Sequence, residues 1–398
     1  MIDRRSAVEV QSNLHEERLQ YAMMGKNTVK QHDIVLTSKI ESPDGALLHA
    51  HDVHATLKQW WLNNARELPW RFGHTSPWGV LVSEVMSQQT QMSRVVPYWQ
   101  MWMQQWPDPQ SLSQATAAEI LTAWGKLGYP RRALRLQECA RVITQDYHGI
   151  LPTTYDELVA LPGIGDYTAS AVLSFAFGVR IAVVDTNIRR VLSRVFLGQE
   201  SLGGSATKQE RQLASDVLPH DINQVQHAAC ANHTEQSHHT AKSHRTEQTS
   251  NTTQANHAYQ SEQTQRTQSS DHIAPWNKPS AIWNQAVMEL GATVCTAKTP
   301  QCEQCPLQSY CAFYAAGLPG LGQQRTRPRQ KFKGTDRQVR GIVLDALRKL
   351  PQGSVLTRSQ VEQLWENQTQ LGECLASLDN DGLIEILPQG DISFPSAQ

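Results

Sequence analysis

Residues 161–187 read LPGIGDYTASAVLSFAFGVRIAVVDTN, and their punctuation decides how the chain is built. Leu161-Pro162-Gly163-Ile164-Gly165 separates two helical patterns, Tyr155–Leu161 before it and Thr168–Phe177 after it. Glycines at 163 and 165 admit positive φ and let another backbone come close. A helix that starts near Asp166–Thr168 presents its first N–H groups outward, a geometry that binds a phosphate without reading base sequence. A glycine connector between packed helices has the same appearance, so the turn alone leaves packing and anion binding both open. The apolar run Ile181-Ala182-Val183-Val184 then delivers Asp185 ahead of Thr186-Asn187. Asp185 suits the N-cap of a helix over Asn187–Phe196, and a cap role is compatible with a catalytic one.

Upstream, residues 76–186 alternate helical patterns with short loops: Trp78–Gln89, Met92–Trp106, Thr116–Leu127, Arg131–Tyr147, then the pair around the glycine turn. Pro or Gly marks most junctions and no alternating strand pattern appears, so this body reads as all-α. Within Trp78–Met86, Glu84 is the one ionisable residue of a nearly all-apolar helix. A carboxylate with apolar neighbours has a raised pKa and stays protonated, as a general acid must; the competing reading is a Glu on the helix's one exposed stripe. One protonated and one ionised carboxylate, Glu84 and Asp185, are equipment for breaking a glycosidic bond through an oxocarbenium-like state.

Downstream, Cys295, Cys302, Cys305 and Cys311 are spaced x6, x2 and x5. Thiolates are soft ligands that select zinc or iron–sulfur clusters. Zinc sites usually pair two short spacings, and only Cys302 and Cys305 make one, so the compact loop fits a cubane iron–sulfur cluster better. Cys139, Cys230 and Cys374 are isolated.

The rest of the chain bounds the answer. Its 398 residues suggest more than one domain. Lys and Arg number 36 against 37 Asp and Glu, so any basic surface is a local patch. The sequence shows no membrane span and no export signal, which predicts a cytoplasmic protein. Residues 1–49 read as a disordered extension. From about 226 to 273 the chain is Gln, Thr, Ser, Asn and His almost throughout, an insertion too polar to bury a core. Residues 321–334, LGQQRTRPRQKFKG, form a basic linker. Residues 335–398 give helical patterns over Asp336–Leu350, Ser359–Trp365 and Leu371–Leu378, then a hairpin over Leu383–Leu387 and Ile392–Phe394, as in a small winged-helix-like α+β module. Its third helix region carries Glu373, Asp379 and Asp381, which would repel phosphate and favours a packing or protein-contact role over groove reading.

The glycine turn, Asp185 and the four-cysteine loop, in this order, resemble the helix-hairpin-helix DNA glycosylases that carry an iron–sulfur cluster. Leu68-Pro69-Trp70-Arg71, the string from Ser83-Glu84-Val85-Met86 through Gln91, Leu127-Gly128-Tyr129 and Val184–Asn187 are similar to the adenine DNA glycosylases of MutY type within that superfamily. The resemblance implies a two-lobed core: residues 76–186 as a six-helix domain holding the hairpin, and residues 50–75 with 187–320 as the cluster domain. It implies a [4Fe-4S] cofactor on the four cysteines and double-stranded DNA with adenine opposite 8-oxoguanine or guanine as partner. In such an enzyme Glu84 protonates the flipped adenine and Asp185 stabilises the cationic sugar, with Tyr167 and Asn187 in support. Gln89 and Tyr129 match residues wedged into the base stack. Leu161, Gly163 and Gly165 would hold the backbone, with Arg131, Arg132, Lys126 and Arg135 as phosphate contacts.

Related endonuclease III enzymes carry a Lys at position 167 that forms a Schiff base and cuts the strand; Tyr167 cannot, which predicts a monofunctional glycosylase. A monomer is expected. The family's usual Nudix-like reader of 8-oxoguanine is not legible after residue 335. Two other readings stay open: thymine or uracil excision on the same fold, opposed by the Ser83–Gln91 string, and a non-catalytic DNA-binding module, which predicts that Glu84→Gln changes nothing.

Overall fold

A computed structural model describes residues 50–201, 203–220, 273–323 and 332–395. The extension expected over 1–49, all but the end of the polar insertion, and residues 324–331 of the basic linker lie outside the described residues.

Helix α1 (Ala50–Asn64) is followed by the Leu68–Arg71 turn. Helix α2 (Pro77–Ser87) starts where the Gly79 N–H donates to the Ser76 hydroxyl at 3.3 Å and Pro77 fills the first turn, a position where its missing N–H costs nothing. Helices α3 (Met92–Gln105), α4 (Pro109–Ser113), α5 (Ala117–Trp124), α6 (Arg131–Asp146), α7 (Tyr155–Ala160) and α8 (Asp166–Phe177) follow. The sequence pattern does not show α4: it has five residues, too few for a period, and is set by the Asp108–Ser111 capping box. These helices enclose one core that includes Trp70, Trp78, Trp99, Trp102, Trp106 and Trp124, so much of the tryptophan content is structural. Three of these indoles donate to backbone carbonyls, Trp78 Nε1 to Trp106 at 3.2 Å, Trp99 Nε1 to Gly79 at 2.8 Å and Trp124 Nε1 to Gly128 at 2.9 Å.

A second core brings α1 together with α9 (Thr186–Leu197), α10 (Lys208–Asp216) and α11 (Pro279–Thr293). Val53, Leu57 and Trp61 of α1 meet Ile188, Val191 and Leu192 of α9 and Trp283 and Leu290 of α11 there. A buried ion triad ties the same elements: the Glu289 carboxylate accepts from Arg66 Nε at 2.5 Å, Arg66 Nη2 at 2.8 Å and Arg71 Nη2 at 2.8 Å. Helix α10 escapes the hydrophobic pattern and is started by a Thr207–Glu210 capping box. The cysteine loop leads into α12 (Ala312–Ala315).

A third core is formed by α13 (Asp336–Arg348), α14 (Arg358–Glu362), α15 (Gln368–Asn380) and the antiparallel hairpin β1 (Glu385–Ile386) with β2 (Ile392–Ser393). Leu356 bridges to Ile392. Leu121 of α5 is buried in this third core, so the C-terminal unit is seated on the unit formed by α2 to α8. No helix among the described residues is long and apolar enough to cross a membrane.

Candidate active site

Glu84 lies in the third turn of α2, whose residues from Trp78 to Met86 are all buried. α8 packs across α2 and brings Tyr167, from its first turn, to the carboxylate. The Tyr167 hydroxyl donates to Glu84 Oε2 at 2.8 Å. Burial pushes the Glu84 carboxyl up to about 7; the Tyr167 hydrogen bond and the Arg71 charge pull it down, and the Asp185 charge adds to the rise. The same burial and the facing carboxylates raise the Tyr167 phenol well above its ordinary value, so it acts as a donor.

Asp185 is the N-cap of α9. Its Oδ1 accepts the Ile188 N–H at 2.6 Å and its Oδ2 accepts from Asn187 Nδ2 at 2.8 Å. Burial raises its carboxyl, opposed by those two donors and by the Arg190 charge. The cap therefore orients the carboxylate and favours its ionised form at once. Burial thus raises both carboxyls, Glu84 to about 7, while the donors on Asp185 oppose its rise.

Asn187 was expected in support of the site, and the part missed in the sequence is Arg190 behind it. Asn187 Oδ1 accepts from Arg190 Nη2 at 2.8 Å. Arg190 Nη2 also donates to the Gly291 carbonyl at 2.6 Å, and its Nε donates to the Cys295 carbonyl at 2.8 Å. A hydrogen-bonded line thus runs from Asp185 through Asn187 and Arg190 to the first cysteine of the loop. The close approach needs Gly291: a Cβ there would stand 2.7 Å from the Asn187 Cβ. The available signal was the i, i+3 spacing of Asn187 and Arg190 on one helix face.

The four cysteines line one cavity with Val191, Arg194 and Phe313. No three metal-ligating side chains among the described residues stand close enough to hold a single ion. Four thiols around a shared space are soft ligands of the kind that hold an iron–sulfur cluster. Arg194 donates to Cys295 Sγ at 3.3 Å and to the Thr296 carbonyl at 2.8 Å, and so fixes the first cysteine.

The two residues expected to act as wedges lie in the loops that follow α2 and precede α6. Gln89 and Tyr129 are exposed and hold positive φ, 56° and 49°. Such backbone costs roughly 1–3 kcal/mol at a residue other than glycine and persists only where surroundings hold it. Arg132 holds it here: Nη1 donates to the Val85 and Gln88 carbonyls, each at 2.7 Å, and Nη2 to the Gly128 carbonyl at 3.2 Å. Arg132 therefore ties the two loops together, where the sequence reading made it a phosphate contact. Arg131 Nη1 pairs with Asp381 of the C-terminal unit at 3.0 Å. Lys126 pairs with Asp345 at 3.7 Å.

In the glycine turn, Leu161 and Ile164 are buried, so the Leu161 side chain anchors the turn and offers nothing to a ligand. Gly163 and Gly165 are exposed. Gly163 has φ +77°, and a Cβ there would meet the Arg135 Cβ at 3.0 Å. Asp166 beside them accepts from Tyr155 and pairs with Arg211, which offsets its charge at the mouth of the turn.

Residues 82–219 match the HhH-GPD superfamily of base excision DNA repair proteins, and residues 295–311 match the iron–sulfur binding domain of endonuclease III. An adenine DNA glycosylase of Mycobacterium tuberculosis is 37% identical over 348 residues, 87% of this chain and 94% of that protein. The chain belongs to the adenine DNA glycosylases. The relative from Mycolicibacterium smegmatis is 38% identical over 336 residues, 84% of this chain and 93% of that protein. The human one is 34% identical over 265 residues, which are 64% of this chain and 38% of that protein. The glycosylase is thus a base excision repair N-glycosylase acting on adenine, with the helical HhH-GPD fold and a [4Fe-4S] cluster, and the thymine, uracil and non-catalytic readings are not favoured. A solved thymine-DNA glycosylase has a TM-score of 0.49 at 21% identity, covering 68% of this chain and 98% of that one; a likeness of that size does not bear on which base is removed.

Proposed function

We propose that this glycosylase removes adenine mispaired with 8-oxoguanine or guanine in duplex DNA, by hydrolysis and without cutting the strand. The observation that carries the chemistry is the buried Glu84 carboxyl, raised to about 7 and held by the Tyr167 hydroxyl. Glu84, with its carboxyl raised to about 7, keeps a protonated fraction at neutral pH and gives its proton to a ring nitrogen of the flipped adenine, making the base a better leaving group. Asp185, oriented by its cap and by Asn187, stabilises the cationic sugar while water attacks. Tyr167 offers a hydroxyl where an amine would be needed for a Schiff base, which supports a monofunctional enzyme.

Cys295, Cys302, Cys305 and Cys311 are read as the cluster ligands, supported by their shared cavity. The cluster supplies cross-linking of the loop that follows α11; Arg190 and Arg194 carry that order back to Asn187 and Asp185. Gly163 and Gly165 offer their backbone to a phosphate, and Gln89 and Tyr129 enter the stack beside the mispair. Residues 335–395 are read as a small winged-helix-like α+β module, supported by the order of α13, the Leu356 bridge, α14, α15 and the β1–β2 hairpin. The enzyme is read as a monomer that works in the cytoplasm, where its DNA substrate lies.

The test is single-turnover cleavage of duplexes with adenine opposite 8-oxoguanine, guanine or thymine, and with thymine opposite guanine, sampled before and after alkali. Abasic sites from the first two, with strands intact before alkali, are expected. Glu84→Gln is expected to lower excision by about 10²–10⁴-fold or more while duplex binding persists. Strand cutting before alkali, or equal release of adenine opposite thymine, would overturn the reading.

A further inference from the structure

We propose that Arg337, carried by the C-terminal module, grips the DNA beside the Tyr129 wedge. The inference rests on the reading of Tyr129 as a wedge given above. Arg337 lies in the first turn of α13, and its guanidinium stands 5.9 Å from the centroid of the Tyr129 ring. Arg132 stands 5.6 Å from the same ring. The two cations differ in what they are free to do. Arg132 spends its amino groups on the carbonyls of both loops. Arg337 is exposed and has no ion pair or hydrogen bond among the described residues.

Contacts on both sides of Tyr129 hold the module in place. Leu121 and Leu134 pack into the third core. Arg348 Nε donates to the Leu121 carbonyl at 3.0 Å. Lys126 pairs with Asp345 and Arg131 with Asp381, which also binds Arg340. The acidic groups at this seam, Asp345 and Asp381, face Lys126, Arg131 and Arg340, and the cation left unpaired at its edge is Arg337.

The fold gains little from this arrangement. Tyr129 is 53% exposed and sits in the left-handed region, so it buries little and costs strain. An exposed cation–π contact is worth roughly 0.5–1 kcal/mol, a small addition to the docking already described. A flat aromatic face beside an unpaired guanidinium is instead the pairing that stacks on a base and bonds a phosphate or the acceptor edge of a guanine. Because Tyr129 belongs to the unit formed by α2 to α8 and Arg337 to the C-terminal module, the two units form one contact surface. The module takes part in holding the mispair without an α-helix in a groove, which agrees with the acidic third helix.

The test uses the full-length holoenzyme and a duplex with 2′-fluoro-2′-deoxyadenosine opposite 8-oxoguanine, whose fluorine resists formation of the cationic sugar. Arg337→Ala is expected to weaken binding by about 5- to 150-fold, with Arg337→Lys between it and wild type. The single-turnover rate at saturating enzyme is expected to stay within about twofold, because Arg337 does not touch the carboxylates. A salt dependence reduced by about one ion marks a phosphate contact; an unchanged slope with a smaller preference for 8-oxoguanine marks a base contact. An unchanged melting temperature shows that the variant is folded. Binding by Arg337→Ala within about twofold of wild type would overturn the inference. If Tyr129→Ala binds weakly in that case, the wedge stands and only Arg337 is wrongly placed; if Tyr129→Ala also binds normally, the wedge itself falls.

Discussion

Removing the Tyr167 hydroxyl should move the pH dependence of excision in a direction that a merely structural role would not. In the wild-type enzyme, burial sets Glu84 at about 7, with the Tyr167 O–H pulling down against it through a 2.8 Å bond. That bond favours the ionised carboxylate, so its loss in Tyr167→Phe raises the carboxyl further. A hydrogen bond to a charged group contributes about 1.5–3 kcal/mol. At about 1.4 kcal/mol per pH unit, the alkaline limb of the rate profile moves up by roughly one to two units. Below neutrality both enzymes hold Glu84 protonated, so a rate loss there measures lost orientation; above it the variant keeps a larger protonated fraction. Single-turnover rates at saturating enzyme, from about pH 5.5 to 9.5, separate the two effects. A limb that stays in place or moves to lower pH would refute the assignment of Glu84 as the acid held by Tyr167.

Other expectations follow from the same geometry. Glu289→Ala leaves Arg66 and the buried Arg71 without their carboxylate and should destabilise the protein by about 3–5 kcal/mol, read by denaturant unfolding. Arg132→Ala should cost about 1–3 kcal/mol of stability and weaken duplex binding while leaving its salt dependence unchanged, because the loss is of loop order; a slope lower by about one ion would restore Arg132 as a phosphate contact. Arg190→Ala should slow excision with the iron content unchanged, since it removes the brace on Asn187 and leaves all four cysteines in place.

What the sequence determined by itself was local chemistry. A lone carboxylate in an apolar helix, an N-capping Asp, a glycine turn and four closely spaced cysteines each announce themselves within about twenty residues, because burial, caps, positive φ and thiolate ligation are set by near neighbours. The same locality hid the rest. Helix α4 and helix α10 begin at polar caps and carry too little apolar period to be seen. The partners of Lys126, Arg131 and Arg132 were hidden too, because Asp345, Asp381 and the loop carbonyls come from elsewhere in the fold.

Only the tertiary structure could bring Tyr167 to Glu84 across 83 positions, bind Arg71 to Glu289 across 218, and run Arg190 from Asn187 to the cysteine loop. Hydrogen bonds and ion pairs act over a few ångströms of space, whereas sequence patterns report separation along the chain. The candidate residues were legible one by one, and their burial and hydrogen-bond partners were decided by packing.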